Sequence, residues 1–486
     1  MTWAEVYPWR PPAAGEAVIR HVYDQVRGAI HAGALPAAGR LPSSRALASR
    51  LGVARASVVG AYDQLLAEGY VEGRHGAGTF VAADLSGVLD LRAPMRPPPA
   101  ATPRLPAKIA RLEAQAWPSG EAPQTHFTNG RTLMDPRAKD AWLRSTRRAL
   151  RTLGDWHFGY GDTRGDLALR TQITGYLRAA RGVVCEPEQI IITCGAQHAI
   201  DLCVRLLLER GDAVWLEDPG YPATWHALGA TEAKLHAVPV DRSGLDVAAG
   251  VRLAPAARMA FVTPSHQYPL GVSLSLGRRL ELLAWAREAG AWIVEDDYAS
   301  EFRYAGPPLA SLQGLDGGER VIYVGTFNKS LFPGLRMGYL VAPRPLAAAF
   351  AAARQLVDRQ PATLTQAIVL DFLQSGQFAA HIRRRRLAYR AQRDALAAAL
   401  AEQLGHRLQV DIPDQGMHLI AYLTDGTSDR AVERAARQSG LVARAISPLY
   451  HDAPSRSGLL LGFSGFEAAG VAPAVKRLTK VMETMR

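Results

Sequence analysis

Lys329 is the residue best suited to covalent chemistry. It follows the apolar run 321–325, in the segment Thr-Phe-Asn-Lys-Ser that ends at residue 330. Only six of the 56 Lys and Arg residues are lysines, so a lysine here is not a routine surface choice. A lysine that ends a buried strand has a depressed pKa, and its neutral amine attacks carbonyl groups to form a Schiff base. The alternative is a stray surface lysine.

An acidic triplet, residues 295–297, closes the apolar run that begins at residue 291, and Tyr298 follows it. Carboxylates that emerge from a buried strand need partners. One interpretation is a strand end held by ion pairs. The other is an acid that pairs with the protonated pyridine nitrogen of a cofactor and keeps its ring electron-withdrawing. The lysine motif that follows along the chain favours the second interpretation.

Two further segments have the chemistry of a phosphate site. The apolar run 190–193 ends in Cys-Gly-Ala-Gln and opens a helix, which would aim free backbone N–H groups at a phosphate. Gly195 could equally mark a simple turn. Arg336, seven residues after Lys329, could clamp the same phosphate.

The elements that must position these residues are alternating strands and helices. Strand-like runs separated by helical segments occupy residues 190–193, 213–217, 259–263, 291–295, 321–325 and 339–341. This alternation predicts an α/β domain with a mostly parallel sheet. Ligands of such sheets bind at the carboxyl ends of the strands, so the candidate residues are expected to meet at one edge.

Taken in order across residues 124–486, these elements resemble fold type I pyridoxal-phosphate enzymes of the aspartate aminotransferase kind. The resemblance implies an α/β domain with a mainly parallel sheet, a smaller C-terminal α+β part and pyridoxal 5′-phosphate as cofactor. It makes Lys329 the Schiff-base residue, Asp296 the partner of the pyridine nitrogen and Tyr298 a donor to the phenolic oxygen. The other contacts it implies are Tyr221 stacked on the ring, Tyr268 at the phenolic oxygen, Thr326, Arg336, Ala196 and Gln197 around the phosphate, and Tyr160 directed at the site of the partner subunit.

Two departures from that pattern concern the ligand. Asn328 stands where a serine is commoner before the lysine, a change expected to leave cofactor binding intact. Leu460 stands where relatives that handle amino acids carry an arginine for the α-carboxylate. Either Arg444 or Arg456 substitutes for it, or the ligand is not an ordinary α-amino acid.

A second, smaller pattern occupies the N-terminal region. Apolar residues recur at helical spacing over residues 18–30, and a short predicted helix starts at the serine pair 43–44 and stops at Gly52. Another helix follows after a tight turn and ends before Gly69, which gives a helix-turn-helix. Two short strands around a glycine-rich tip, residues 73–78, complete a wing.

Four arginines and no acidic residue lie between residues 29 and 62, which suits a duplex phosphate backbone, although solvated helix faces are the alternative. The string GRLPSSRALASRLGVARASVVGAYDQLLAEGYVEGRHGAGTFV resembles the winged helix-turn-helix of GntR-family regulators. The DNA contacts that this resemblance implies are Arg45 and Arg55 at the two helix starts, His75 and Gly76 in the wing, and Arg40 and Ser57 at phosphates. Ala54 replaces the usual Ser or Thr cap, so direct base reading is expected to be sparse.

The predicted domains are a winged helix-turn-helix at 13–82, a proline-rich linker at 83–123 and the aminotransferase-like domain at 124–486. A linker of about 40 residues spans tens of ångströms, so a domain-swapped homodimer is geometrically feasible.

The net charge of +11 fits a nucleic-acid partner. With no export signal or long apolar stretch, a cytoplasmic location without membrane contact is predicted. Cys185, Cys194 and Cys203 form no Cys-x-x-Cys pair, so we expect buried thiols and predict no metal site.

The two halves together resemble the MocR subfamily of GntR regulators. The resemblance implies a pyridoxal-phosphate-dependent transcription regulator that binds a double-stranded DNA operator with two half-sites. Its effector would be a small amine or amino acid, or pyridoxal phosphate itself, with no physiological turnover. An active aminotransferase that carries a DNA-binding domain is the alternative, and an inert dimerisation scaffold is a third interpretation.

Overall fold

The computed structural model describes residues 7–85, 126–229, 231–453 and 455–485. They form two compact units, one on each side of the gap between residues 85 and 126. The predicted linker 83–123 lies almost wholly outside the described residues, so the domain boundaries stay a prediction. No helix in the described part of the chain is long and apolar enough to cross a membrane.

Within residues 7–85, the N-terminal unit has three helices and a two-stranded antiparallel sheet. These are α1 Val18–His31, α2 Ser44–Leu51, α3 Arg55–Ala67, β1 Val71–Arg74 and β2 Gly78–Val81. Helix α2 begins where Ser43 Oγ accepts the N–H of Ala46 at 3.2 Å, and it ends at Gly52 in the left-handed conformation. No side chain caps α3, as Ala54 predicts.

One apolar cluster holds this unit together. Val22, Val26 and Ile30 repeat along one face of α1 and pack against Val58 and Leu65 of α3. All five side chains are fully buried. The helix-turn-helix and its wing are therefore confirmed as a folded unit with its own core.

The larger unit is built on an eight-stranded sheet. Its strands are β3 Ile190–Thr193, β4 Ala213–Asp218, β5 Lys234–Asp241, β6 Gly244–Leu245, β7 Met259–Val262, β8 Trp292–Asp297, β9 Val321–Thr326 and β10 Gly338–Val341, in the order β3-β10-β9-β8-β7-β4-β5-β6. Neighbours from β9 to β5 run parallel, whereas β10 is antiparallel to both β3 and β9. The predicted, mostly parallel sheet is confirmed.

The structure adds a strand that the sequence pattern did not predict. Strand β5 lies near the sheet's edge and has only two buried residues, Ala237 and Val238, with Pro239 directly after them. It therefore lacks the continuous apolar run that marks the central strands. Strand β8 also continues past the predicted run, so that Asp296 and Asp297 are strand residues.

The helices of this unit cover both faces of the sheet and also pack against its C-terminal strands. They are α4 Pro136–Arg151, α5 Leu167–Arg181, α6 Ala196–Leu207, α7 Pro222–Gly229, α8 Val247–Leu253, α9 Leu276–Glu288, α10 Leu312–Asp316, α11 Phe327–Ser330, α12 Ala347–Asp358, α13 Thr363–Gln374, α14 Gln377–Leu404, α15 Asp429–Gln438 and α16 Val471–Glu483. Alternate residues of β3 show the layering, because Ile190 and Ile192 pack with Ile173 of α5 while Ile191 packs with Ile200 of α6. This is the three-layer α/β architecture expected for the domain.

A small antiparallel sheet forms the C-terminal part. Its strands are β11 Leu408–Asp411, β12 His418–Leu423, β13 Arg444–Ala445 and β14 Gly458–Gly462, in the order β11-β12-β14-β13. Leu459 and Leu461 join the main core, whereas Leu460 packs on the opposite face with Tyr268 and Ile420. The predicted C-terminal α+β part is confirmed.

The expectation of three buried cysteines is wrong for one of them. Cys185 and Cys203 are buried, but Cys194 is exposed in the turn after β3. Its backbone N–H donates to His198 Nδ1 at 3.2 Å, and its Sγ lies 3.7 Å from Asp358 Oδ2. These contacts fasten the turn to helices α6 and α12.

Candidate cofactor site and nucleic-acid interface

The carboxyl ends of the sheet strands surround a pocket that gathers most of the predicted cofactor residues. Those that line it are Ala196, Gln197, Tyr221, Tyr268, Asp296, Tyr298, Thr326, Lys329 and Arg336. Tyr160 does not line it. Its side chain is 77% exposed, with the guanidinium of Arg359 3.6 Å from its ring centroid. A role for Tyr160 at a partner subunit's site stays a prediction.

Lys329 enters the pocket from α11, the single helical turn that begins where β9 ends. Its Nζ donates to the carbonyl oxygen of Gly130 at 3.3 Å. Burial lowers the pKa of Lys329; the negative charge of Asp296 opposes this shift and the positive charge of Arg444 adds to it. The neutral amine that nucleophilic chemistry needs is therefore easier to reach than in an exposed lysine.

Gly130 allows this approach, and sequence reasoning missed it. Its φ of 68° lies in the left-handed region, and a Cβ at this position would fall 2.2 Å from Lys329 Nζ. The signal available in the sequence was the Asn129-Gly130 pair, a common turn dipeptide. Other lining residues that the sequence analysis did not assign to the pocket are Asn129, Thr263, Asn328, Pro333 and Met417.

At the end of β8, Glu295 and Asp297 each have hydrogen-bond partners within the unit, whereas Asp296 lines the pocket. Glu295 accepts the backbone N–H groups of α10, and Asp297 forms a 2.7 Å ion pair with Arg181. Asp296 Oδ1 is buried and has no hydrogen-bond partner among the described residues. The ion pair with Arg181 therefore accounts for the burial of the Asp297 carboxylate, while the Asp296 carboxylate faces the pocket.

Burial, together with the charges of Asp297 and Glu217, raises the pKa of Asp296 to about 7. The hydroxyl of Tyr298 is also buried without a partner in the described part of the chain, and burial raises its pKa well above the ordinary value. An acid and a phenol in this state favour a ligand that brings an N–H or cationic group and a hydrogen-bond acceptor.

Two tyrosines form the opposite wall of the pocket. Tyr221 follows β4 at the pocket rim and is 38% exposed, whereas Tyr268 is buried. Their rings meet edge to face, with centroids 5.4 Å apart. The face of Tyr221 is thus available to stack on a flat ligand.

The turn after β3 and the helix it opens form an anion cradle. Gly195 has φ 95°, and a Cβ there would lie 2.8 Å from Asn328 Nδ2. No side chain caps α6, which begins at Ala196, so its first N–H groups point out of the helix start. Arg336, in the left-handed conformation with φ 53°, brings its guanidinium to within 3.9 Å of the same Cβ position.

Asn328 has a structural role that explains its departure from serine. Its Oδ1 accepts the N–H of Met337 at 3.1 Å, and its Nδ2 packs against Gly195. The amide therefore joins the lysine turn to the strand that follows Arg336. This contact supports the expectation that the change leaves the pocket intact.

The winged unit exposes the predicted DNA contacts. Arg45 and Arg55 stand exposed at the starts of α2 and α3, and Arg55 Nε donates to Ser44 Oγ at 3.3 Å. At the tip of the wing His75 and Gly76 are exposed, the glycine with φ 71°. Arg40 is exposed and Ser57 partly exposed.

Comparison with known proteins identifies both units. Residues 18–81 match the gntR family of bacterial regulatory proteins, and residues 130–460 match aminotransferase class I and II. The chain is 38% identical over 459 residues to the probable rhizopine catabolism regulatory protein MocR of Rhizobium meliloti, covering 94% of this chain and 92% of that protein. The chain belongs to the MocR-type GntR regulators.

A second relative shares the same arrangement. The pyridoxine biosynthesis transcriptional regulator PdxR of Corynebacterium glutamicum is 33% identical over 444 residues, 91% of each chain. Among solved structures, the α-aminoadipate aminotransferase LysN of Thermus thermophilus, complexed with N-(5′-phosphopyridoxyl)-L-leucine, matches with a TM-score of 0.68. Its sequence identity is 27%, and the match covers 78% of this chain and 95% of that chain.

For this MocR-type regulator the winged helix implies DNA binding, and the aminotransferase fold implies pyridoxal 5′-phosphate. The pocket fits that cofactor. Among the described residues, Asp296 Oδ1 and the Tyr298 hydroxyl are buried and have no hydrogen-bond partner, and a pyridine N–H and a phenolic oxygen would satisfy them. The cradle at Gly195 and Arg336 suits a phosphate, since a side chain at residue 195 would close it.

Gly130→Ala is expected to weaken pyridoxal-phosphate binding by about tenfold or more, because its Cβ displaces the Lys329 amine; the left-handed backbone costs the alanine about 1–2 kcal/mol of stability in addition. The flexible lysine can move, so the fold survives. An absorbance titration measures the affinity. Gly277→Ala is the control, since a Cβ there meets nothing within 4 Å. Equal affinities for the two variants would show that Gly130 does not position the amine.

Proposed function

We propose that the chain is a pyridoxal-phosphate-dependent transcription regulator whose large unit senses the cofactor or a small amine that reacts with it. The observation that carries this proposal is a single pocket holding Lys329 beside the unpartnered atoms of Asp296 and Tyr298, in a chain that also carries a folded winged helix-turn-helix. Neither the pocket alone nor the winged helix-turn-helix alone would support a regulator that senses a ligand and changes its DNA binding in response.

The proposed roles of the pocket residues follow from their positions. When bound, pyridoxal phosphate supplies a carbonyl group that condenses with amines and a ring that withdraws electrons. Lys329 provides the amine, Asp296 pairs with the ring nitrogen, and Tyr298 and Tyr268 donate to the phenolic oxygen. Tyr221 stacks on the ring. The phosphate is held by Thr326, Arg336 and the N–H groups of Ala196 and Gln197.

The residue at position 460 favours sensing over turnover. Leu460 is 0% exposed and packs with Tyr268 and Ile420, so this position offers apolar surface instead of a guanidinium. An α-amino acid substrate would lack that partner for its carboxylate. An active aminotransferase remains the second candidate, favoured by the lowered pKa of Lys329.

Coupling to DNA requires that the effector bind two states of the regulator unequally, because equal affinity shifts no equilibrium. We propose a domain-swapped homodimer whose winged units reach two half-sites of an operator. We also propose that the protein acts in the cytoplasm, where its DNA partner lies.

The test uses the full-length protein. Pyridoxal phosphate is titrated in, and a near-ultraviolet or visible absorbance band that borohydride removes is expected, with the reduced adduct mapped to Lys329 by mass spectrometry. Amines are then added while binding to the intergenic DNA beside the gene is measured at fixed salt. A change in DNA affinity supports the regulator. Sustained oxo-acid production with unchanged DNA affinity supports the aminotransferase, and the absence of a band supports the scaffold.

Arg45→Ala is expected to weaken binding to all DNA sequences alike and to reduce the slope of log K against log salt by about one, as the loss of one phosphate contact should. Fluorescence anisotropy at several salt concentrations measures both. Arg20→Ala is the control, because Arg20 is exposed on α1 and paired with Asp24 at 2.9 Å. A loss confined to one operator sequence would instead assign Arg45 to base reading.

A further inference from the structure

A thiol, an imidazole and a carboxylate converge at the turn after β3, outside the cofactor pocket. They belong to Cys194 in the turn, His198 in the first turn of α6 and Asp358 at the end of α12. One ligand atom from each residue lies within 4.8 Å of the other two. None of these three residues lines the cofactor pocket, so the roles assigned to that pocket leave the Cys-His-Asp cluster unexplained.

The distances in this cluster suit a tetrahedral metal ion. Asp358 Oδ2 lies 3.7 Å from Cys194 Sγ and 3.8 Å from His198 Nδ1. Zinc bound about 2.3 Å from sulfur and about 2.0 Å from nitrogen and oxygen holds its ligand atoms about 3.3–3.5 Å apart. Small side-chain rotations therefore close the cluster around one ion. Because Cys194 is exposed, water can fill the fourth position.

The Nδ1 lone pair of His198 is directed at this turn, because Nδ1 accepts the backbone N–H of Cys194 at 3.2 Å. A metal ion on Nδ1 replaces that N–H. The freed N–H belongs to an exposed residue, where water can become its partner. The hydrogen bond that must break for metal binding is therefore one that solvent can replace.

The carboxylate of the cluster is already held in place. Arg354, which is fully buried, donates to Asp358 Oδ2 at 2.9 Å and also to the backbone carbonyl oxygen of Ile192. Hydrogen bonds of this kind orient a carboxylate that binds a metal. With a thiolate at Cys194, the cluster carries two negative charges against the one positive charge of Arg354, so it still attracts a dication.

We propose that Cys194, His198 and Asp358 bind a zinc ion, and that the ion fixes the turn that carries the phosphate cradle. Thiolate, imidazole and carboxylate are ligands that zinc takes in proteins, whereas calcium and magnesium take oxygen ligands. Two of the three ligands flank the cradle residues 195–197 in the chain. The prediction of no metal site rested on the spacing of the cysteines, which cannot show a carboxylate 164 residues from Cys194.

The first experiment measures the zinc affinity of the full-length, reduced protein by competition with a chromophoric chelator. Wild type is expected to bind one zinc ion per chain, and Cys194→Ser, His198→Gln and Asp358→Asn are each expected to weaken binding at least about tenfold. Cobalt in place of zinc should give a thiolate charge-transfer band that Cys194→Ser removes. His406→Gln is the control, because His406 is exposed and lies outside the cluster.

The second experiment measures the effect of the ion on the cradle, and this part rests on the proposed function. Saturating zinc is expected to tighten pyridoxal-phosphate binding to wild type about fivefold, a typical coupling between two sites. The same absorbance titration with Cys194→Ser should show no effect of zinc, which separates the site from zinc bound elsewhere.

The two parts of the proposal fail differently. Wild type that binds no zinc, or that binds it with the same affinity as Cys194→Ser, would overturn the zinc site. Zinc bound at the cluster without a change in pyridoxal-phosphate affinity would overturn its effect on the cradle. Wild type that binds no pyridoxal phosphate would overturn the proposed function and the effect on the cradle, while the chelator competition still decides the zinc site.

Discussion

Lys329→Ala is expected to abolish the borohydride-reducible absorbance band and the response of DNA binding to amines. The variant keeps the groups that hold phosphate and ring, so pyridoxal phosphate still binds, but without a covalent bond. The side chain that is removed makes one hydrogen bond that the structure records, to Gly130 at 3.3 Å, so the fold should survive. DNA affinity without effector is expected to stay within about threefold of wild type, a difference below about 1 kcal/mol.

Lys234→Ala provides the control, because Lys234 is exposed at the start of β5, away from the pocket residues. Absorbance, mass spectrometry after reduction and anisotropy with operator DNA are compared across the three proteins. If Lys329→Ala retained the reducible band, another amine would be the attachment point. If it lost the band but kept the full amine response, the effector would act at a different site.

The sequence predicted those site residues that directly follow a predicted strand. Lys329, Asp296 and Gly195 each follow a continuous apolar run, and the carboxyl ends of parallel strands share one edge, so their convergence could be predicted. Gly130 gave no comparable signal. It lies before α4, and its contact with Lys329 spans 199 residues of chain. Only the tertiary fold reveals that its left-handed backbone makes room for the amine.

Choices between chemically equivalent residues also needed the structure. From the residue types alone, the acids of residues 295–297 were interchangeable strand-end carboxylates, and only the family resemblance singled out Asp296. Their hydrogen-bond partners distinguish them, because Asp297 forms an ion pair with Arg181 and Glu295 accepts backbone N–H groups of α10. The structure also separates Arg444 from Arg456, since Arg444 pairs with Leu460 across two strands and Arg456 lies over the ring of Tyr422.

The unpartnered carboxyl has a thermodynamic consequence for the cofactor-free protein. Burial and neighbouring acids raise the pKa of Asp296 to about 7, whereas an aspartate in an unfolded chain titrates near about 3.9. As pH rises from about 4 to 7, the unfolded chain therefore loses this proton while the folded chain keeps it. Stability that is present below this window is lost as pH rises through it, and the loss is complete above pH 7.

Asp296→Asn is therefore expected to stabilise the cofactor-free large unit more at pH 8 than at pH 5. Asparagine stays neutral in both states, so the difference in unfolding free energy between variant and wild type should grow by about 1–3 kcal/mol across this interval. Calorimetric or urea unfolding at the two pH values measures it. Asp140→Asn, on the exposed surface of α4, should leave the pH dependence unchanged.

The same substitution is expected to have the opposite effect on the cofactor complex. A neutral amide cannot pair as an anion with a protonated ring nitrogen, so pyridoxal phosphate should bind Asp296→Asn at least about tenfold more weakly and stabilise it less than wild type. Thermal unfolding with and without pyridoxal phosphate at pH 8 tests this reversal. Parallel pH curves for variant and wild type would show that Asp296 is not held protonated by the fold. An unchanged cofactor affinity would remove Asp296 from the ring-nitrogen role.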